Sequence, residues 1–432
     1  QVVGLAPHTG PQRPGDRATA ARSPRSYLAT TVGDTLKLAR GGRPKVIGLS
    51  NKDRAAILMA GHFADAAYYT EGDRFVTSTY YMRALPAWAE GFNVAKKPDA
   101  YFGKVWDRLL PVEAYSIQGP DDSPNEFTGL GLSPIFPKII TGGEKAPGPA
   151  FYEALIHTPF ASDFARAAID GEKLGQRHVT DLLAISFSAN DLVGHDTGPD
   201  SHEVMDMVVR TDRILADFFT FLDQRIGLAR CLIVLSADHG AAPTPEHLKA
   251  LRPDFPAGRI DNALVRKTGE AALNRVFGPL AHATDRWLAV DSAWLHLDPE
   301  TLARKQVAPA AAENVVRDAL LTLDFVEAAY TRTQLLARDV NTELGRQALL
   351  SFHAGRSGDV FYQTKPYWID FPHGTNHGSP YSYDTHVPLL WFGVGVPVGT
   401  HPERVGVDDL APTLSRLLHL PVPPQSEGRA LF

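Results

Sequence analysis

Uninterrupted apolar runs, rather than alternating ones, dominate the long-range pattern of this chain. Cys231-Leu-Ile-Val-Leu-Ser236, Asp181-Leu-Leu-Ala-Ile-Ser-Phe-Ser188 and Lys45-Val-Ile-Gly-Leu-Ser50 each read as a strand buried on both faces of a sheet. Between the first two, Met205, Val208, Val209, Leu215, Phe218, Phe219, Leu222 and Ile226 recur at helical spacing. That stripe predicts a long core-facing helix from Ser201 to Ile226. Strand, helix and strand then predict a βαβ unit with a right-handed crossover, its strands starting at Asp181 and Cys231. Upstream, the pattern T-x-x-D at Thr31 to Asp34 predicts a capped helix running to about Ala39. Strands are expected at Ala66–Tyr69 and Phe75–Tyr81 around the turn Glu71-Gly-Asp73. Helices are expected at Ala55–Met59, Pro149–Ile169 and Asp408–Leu418, and Val387–Gly393 is expected to return to the main sheet. The fold class expected is α/β, a mostly parallel central sheet sandwiched by helices.

Two stretches interrupt this pattern. Residues from about 85 to 137 mix aromatics with Gly, Pro and charge without a clean period and read as an insertion. Residues from about 243 to 336 read as a smaller subsidiary region, with strands at Ser292–Asp298 and Phe325–Tyr330 about a helix from Pro309 to Leu323. Val360–Asp370 begins as a further strand, and Ala6 to Ser26 reads as a loop. One α/β domain with these two additions accounts for the 432 residues.

Composition narrows the function classes. Net charge is −6 with no long basic run, which argues against a nucleic-acid partner. No apolar run reaches the length of a membrane span. The single cysteine, Cys231, sits in an apolar run and reads as a core residue; no disulfide within the chain is possible.

Chemistry gathers at the strand ends, where ligands bind in open α/β sheets. Asp238 and His239 end one strand; Asp191 and His195 follow another at a spacing that places both on one helical face. His373, His377 and His386 precede the Val387 strand, and either His373 or His377 could complete a metal site, with Asp384 and His386 in supporting roles. Carboxylate and imidazole suit a borderline divalent ion such as zinc. These donors exceed the need of one tetrahedral site and suit a pair of ions, a device for hydrolysing phosphate esters. Lys52 and Arg54 flank the end of the Lys45 strand, where cations could hold a phosphoryl group.

Taken together, Asn190-Asp-Leu-Val-Gly-His-Asp-Thr-Gly-Pro199, Ser236-Ala-Asp-His-Gly240 and Gly374-Thr-Asn-His-Gly-Ser-Pro-Tyr-Ser-Tyr-Asp-Thr-His-Val-Pro388 resemble the metal motifs of the alkaline phosphatase superfamily. The similarity is to its monomeric bacterial branch with a threonine nucleophile, and extends to Thr30–Lys37, Ser50–Arg54, Phe75–Tyr81 and Val407–Leu431. The resemblance implies two Zn2+, one held by Asp191, His195 and His377 and the other by Asp238 and His239. It implies that Lys52 and Arg54 contact the phosphoryl group of a small monoester, and that the protein is a monomer located in the periplasm or secreted. A phosphodiesterase or nucleotide pyrophosphatase of the same superfamily, or a metal-binding relative without catalysis, are the alternatives. A sulfatase is disfavoured, since Cys231 is followed by Leu-Ile rather than a C-x-P-x-R pattern. The family's early strand with a metal-binding Asp, its Thr nucleophile in a turn and its Asn have no match here. With the abrupt start at Gln1, the expectation is that these lie in a missing N-terminal segment, signal peptide included, and that the chain as given is inactive.

Overall fold

The computed structural model describes residues 2–3, 22–95, 97–101, 103–123, 126, 135–139 and 150–432. The loop expected at Ala6 to Ser26 lies outside the described residues as far as residue 21, as does part of the 85–137 insertion.

Helix α1 (Val32–Ala39) starts in the expected capping box, Thr31 and Asp34 bonding each other's backbone N–H groups. Strand β1 (Val46–Ser50) follows, then helix α2 (Asp53–Ala60) and the hairpin β2 (Ala66–Glu71) and β3 (Arg74–Ser78). Helix α3 (Ala150–Glu172) leads to β4 (Leu182–Ser186). β1 pairs in parallel with β2 on one side and β4 on the other; β3 joins β2 antiparallel, and Val2–Val3 adds a short antiparallel edge. The sheet is thus mixed, with its parallel part at the centre.

Every residue of β1 is buried, as its unbroken apolar run predicts. Successive side chains of a strand point to opposite faces. Ile47, Leu49, Tyr68 and Phe75 meet Phe160, Phe164 and Ile169 of α3 on one face. Ala67, Tyr69 and Val76 meet Ala56, Ile57 and Ala60 of α2 on the other.

After β4 come helix α4 (Ala189–Thr197), helix α5 (His202–Arg225) and β5 (Ile233–Ser236). Here the structure departs from the expected βαβ unit. β4 is hydrogen-bonded to β1 alone, and β5 is paired antiparallel with the strand Leu389–Phe392 (β10) as a separate two-stranded ribbon. All four residues of β5 are only half-buried, as are all five of β4. Leu183, Ile185 and Ile233 nonetheless pack against the same core cluster. The two strands therefore share one helical layer while each keeps an edge without a strand partner among the described residues. An apolar run reports burial by helices as readily as burial between strands, which is why the sequence pattern overstated the pairing. The strand at Val387–Gly393 likewise joins β5 instead of the main sheet.

The second sheet is antiparallel, in the order β6 (Leu288–Asp291), β7 (Trp294–Leu297), β9 (Val360–Thr364), β8 (Val326–Thr331). Its last strand in sequence lies beyond the 243–336 span. Helices α6 (Asn262–Phe277) and α7 (Pro309–Leu320) cover one face through Val265, Leu273, Val316 and Leu320, around Trp287, Leu295 and Tyr362. Strand β10 and helix α8 (Leu410–Leu417) close the chain.

The insertion bears on the site by packing. Trp106 and Phe136 lie against Ala189 and Val193 of α4. Asp206, fully buried on α5, accepts hydrogen bonds from Trp106 Nε1 at 2.6 Å, Leu109 N at 2.7 Å, the Tyr115 hydroxyl at 2.7 Å and Arg210 Nε at 2.5 Å. Lys138 and the fully buried Glu203 form an ion pair at 2.5 Å. Removing either partner would strand a buried charge, at a cost of about 3–5 kcal/mol. The insertion and the α4–α5 corner are thus held as one unit.

Candidate metal centre

Helix α4 begins directly after β4, with Asp191 in its first turn and His195 in its last. A carboxylate is favoured near a helix N-terminus and an imidazole near its C-terminus. The i, i+4 spacing sets His195 Nε2 3.4 Å from Asp191 Oδ1. Two more imidazoles converge on the same oxygen: His239 Nε2 at 3.6 Å and His377 Nε2 at 3.8 Å. The rings of His239 and His377 stack at 3.3 Å between centroids, 10° from parallel.

Donor atoms of Asp191, His195 and His377 all lie within 4.8 Å of one another, and no other such group of three or more was found among the described residues. His195 Nδ1 is 2.9 Å from the Thr375 carbonyl, and His239 Nδ1 is 2.9 Å from the Gly240 carbonyl. A carbonyl only accepts, so Nδ1 carries the proton in both rings and each Nε2 is left with its lone pair. One carboxylate and imidazoles presented through Nε2 make a donor set that fits zinc.

The electrostatics agree with that fit. Burial and the neighbouring His239 drive the His377 pKa down to about 4, so its ring is neutral at physiological pH. Burial alone would raise the Asp191 carboxyl, but the Lys52 ammonium, bonded to its Oδ2, outweighs it and holds the group below the usual range. Asp196, beside His195, goes the other way, raised by burial to about 6.

The His377 loop is fixed by contacts the sequence did not advertise. Thr375 N donates to the His195 carbonyl at 2.9 Å, and Thr375 Oγ1 to the Ala242 carbonyl at 2.5 Å. Arg259 forms a two-pronged pair with Glu246, both bonds 2.7 Å, and donates to the carbonyls of Phe371 at 2.7 Å and Gly374 at 3.0 Å. Gly374 has φ +50°, and a side chain there would run into the His195 carbonyl. A side chain at Gly240 would strike the Tyr383 carbonyl, across the segment that pairs with it through Asp384.

The remaining sequence candidates divide. Lys52 reaches the cluster through Asp191. Arg54 is exposed, its guanidinium without a partner among the described residues; only its backbone N–H is used, on Asp53. The Asp238 side chain is 87% exposed, with Oδ2 3.6 Å from His239 Nε2. His373 and His386 are exposed and outside the three-residue group, whereas Asp384 is buried and accepts from Ser379 N at 2.7 Å. Sequence reasoning missed Thr375, Arg259 and Glu246, since a lone Thr or an isolated Arg carries no spacing signal.

Residues 42–369 match the family of type I phosphodiesterases and nucleotide pyrophosphatases. A Myroides odoratus protein named calcium-transporting ATPase is 34% identical over 421 residues, covering 95% of this chain and 75% of that one. Alkaline phosphatase PhoV of Synechococcus elongatus is 34% identical over 417 residues, 95% of this chain and 74% of its own. Alkaline phosphatase PafA of Elizabethkingia meningoseptica is 33% identical over 422 residues, with 95% and 75% covered. The crystal structure of wild-type alkaline phosphatase PafA superposes with a TM-score of 0.87 at 31% identity, over 100% of this chain and 81% of that one. Sequence motifs, the geometry of the candidate site and whole-chain similarity converge: the chain belongs to the alkaline phosphatase superfamily, within the type I phosphodiesterase and nucleotide pyrophosphatase family.

Proposed function

We propose that the protein is a zinc-dependent hydrolase of phosphate monoesters. The observation that carries this reading is the convergence of His195, His239 and His377 on one Asp191 oxygen, with the Lys52 ammonium on the other. Asp191, His195 and His377 would hold one Zn2+, and Asp238 with His239 a second. Bound there, the pair of ions supplies Lewis-acid stabilisation of charge on the attacking and leaving oxygens. The chain's own contribution is orientation. The Thr375 and Gly240 carbonyls set the two Nε2 atoms, and Lys52 brings a positive charge to where phosphoryl oxygens would lie, with Arg54 free to swing in from solvent.

No described residue at the centre is placed as a nucleophile. A strand inserted between the partnerless edges of β4 and β5 would end beside Asp191 and His239. We assign to such a segment, N-terminal in the natural protein, the threonine that forms a phospho-threonine intermediate and the missing ligands of the second zinc. The protein would then act on small phosphorylated compounds outside the cytoplasm, as a monomer; no helix of the described residues is long and apolar enough to cross a membrane.

The matched family is named for diesterases, which makes diester hydrolysis the second reading. The Lys52 ammonium favours monoesters, whose extra negative charge it can offset. The test compares p-nitrophenyl phosphate with bis-p-nitrophenyl phosphate, using the protein from its full natural gene with zinc and after chelation. A zinc-dependent preference for the monoester is expected. A preference for the diester, or rates indifferent to chelation, would overturn the assignment.

A further inference from the structure

Asn51 stands between Ser50, the last residue of β1, and Lys52. It is 7% exposed, and neither its Oδ1 nor its Nδ2 has a partner among the described residues. Its backbone carbonyl, by contrast, accepts from Thr70 Oγ1 at 3.0 Å and from Thr70 N at 3.4 Å. A buried side-chain amide offers two donors and an acceptor, and leaving all of them unmet is costly. Such groups are rare in native proteins and call for an explanation.

The explanation lies in the cavity of about 260 Å3 that Asn51 lines. Lys52 and Leu192 also line it, and these are the residues next to the metal centre: Lys52 bonds Asp191, and Leu192 follows Asp191 on α4. The lining also holds Arg22, Asp53 and Glu71. Arg22 is paired with both carboxylates, at 2.9 Å to Asp53, and the Lys52 charge is taken up by Asp191. Two cations thus face three carboxylates, Asp191 included, and the one net negative charge left over disfavours a second anionic group. Leu192 is the one large apolar side chain lining the cavity, a poor match for an aromatic ring. What remains is a small compartment whose polar groups, the Asn51 amide among them, donate and accept hydrogen bonds. It is smaller than the roughly 300–1,000 Å3 of drug-sized sites.

We infer that this cavity is the leaving-group subsite, and that it selects phosphate esters of small polyols or sugars. This inference rests on the monoester reading above. The Asn51 amide would accept from one hydroxyl and donate to its neighbour, and the Asp53 and Glu71 carboxylates would accept from others. A site built to bond hydroxyls discriminates strongly against analogues that lack them.

The test uses the zinc-loaded protein from its full gene. The ratio of kcat/KM for glycerol 3-phosphate over phenyl phosphate is measured in the wild type, Asn51→Ala and Asn51→Leu. The ratio is expected to fall about tenfold in both variants. An unchanged ratio overturns the inference, whether both rates hold or both fall together, the latter assigning Asn51 to the phosphoryl group or to the fold. A second measurement needs neither variant nor turnover. By calorimetry, 3,4-dihydroxybutylphosphonate should bind the wild type about tenfold tighter than butylphosphonate. Equal affinities overturn the subsite even where monoesters are hydrolysed. A wild type that binds the diol tightly but hydrolyses no monoester overturns the monoester reading and leaves the pocket's preference standing.

Discussion

The two halves of the proposed metal centre are held by different means. Asp191 and His195 ride on a helix that leaves β4, which is registered along its whole length with the buried β1. His377 is tied to that helix through Thr375, and the loop before it is clamped by Arg259. Asp238 and His239 instead follow β5, which is as half-buried as β4 but is paired with β10 outside the central sheet. His239 is still drawn in by stacking on His377, but Asp238 faces solvent. A residue at a strand end is placed as firmly as the strand beneath it; β4 and β5 have one strand neighbour each among the described residues, but that of β4 is the fully buried β1 and that of β5 is the partly exposed β10.

The sharpest way to break this comparison is to remove one carboxylate from each half. Asp191→Ala should cost at least about a thousandfold in kcat/KM, since metal stabilisation of several kcal/mol is at stake and each 1.36 kcal/mol is tenfold. Zinc titration of that variant should show both sites weakened, because three imidazoles are organised about Asp191. In Asp238→Ala one zinc equivalent should still bind tightly. If the two variants lose zinc alike, the halves are not independent and the contrast fails.

A smaller effect is expected from the clamp. Arg259→Met should weaken zinc at the Asp191 half by about tenfold, the lower end of what supporting groups around a metal usually contribute. Arg259→Lys should not restore it, since an ammonium cannot bridge Glu246 and two carbonyls at once. Circular dichroism of both variants should match the wild type; zinc affinity unchanged in Arg259→Met would show that the loop is set without the clamp.

The smallest effect concerns pH. His377 in the folded protein titrates at about 4, below the ordinary imidazole value. As pH falls from about 6.5 towards 4 the unfolded chain takes up a proton that the folded chain refuses. This group's contribution is therefore intact above the unfolded pKa and lost as pH drops to the folded one. Urea denaturation of the metal-free protein should show lower stability at pH 4.5 than at pH 7. The difference should shrink in His377→Gln, and a difference of the same size in that variant would assign the effect elsewhere.

Much of this could be read along the chain. Thr31 and Asp34 cap α1 because capping is a contact over three residues. Asp191 and His195 share a face because helix geometry alone brings i and i+4 together. The unbroken run at β1 reported full burial correctly. The run at β5 did not disclose its partner, since the same apolar residues suit a central strand or a ribbon edge against helices. The hairpin partner of β7, Leu288–Asp291, was also missed, its turn at Ser292 taking a positive φ without a glycine to mark it.

Local chemistry thus determined the helix caps, the strand runs and the residue types of the centre, because those depend on neighbours a few positions apart. The tertiary structure alone decided that His239 and His377, 138 positions apart in the chain, stack beside Asp191. It also decided that Arg259 holds the loop, that Asn51 is left without partners and that Asp238 stays in solvent. These are long-range matters of strand order and loop closure, settled by which surfaces can be buried together, and no spacing along the sequence encodes them.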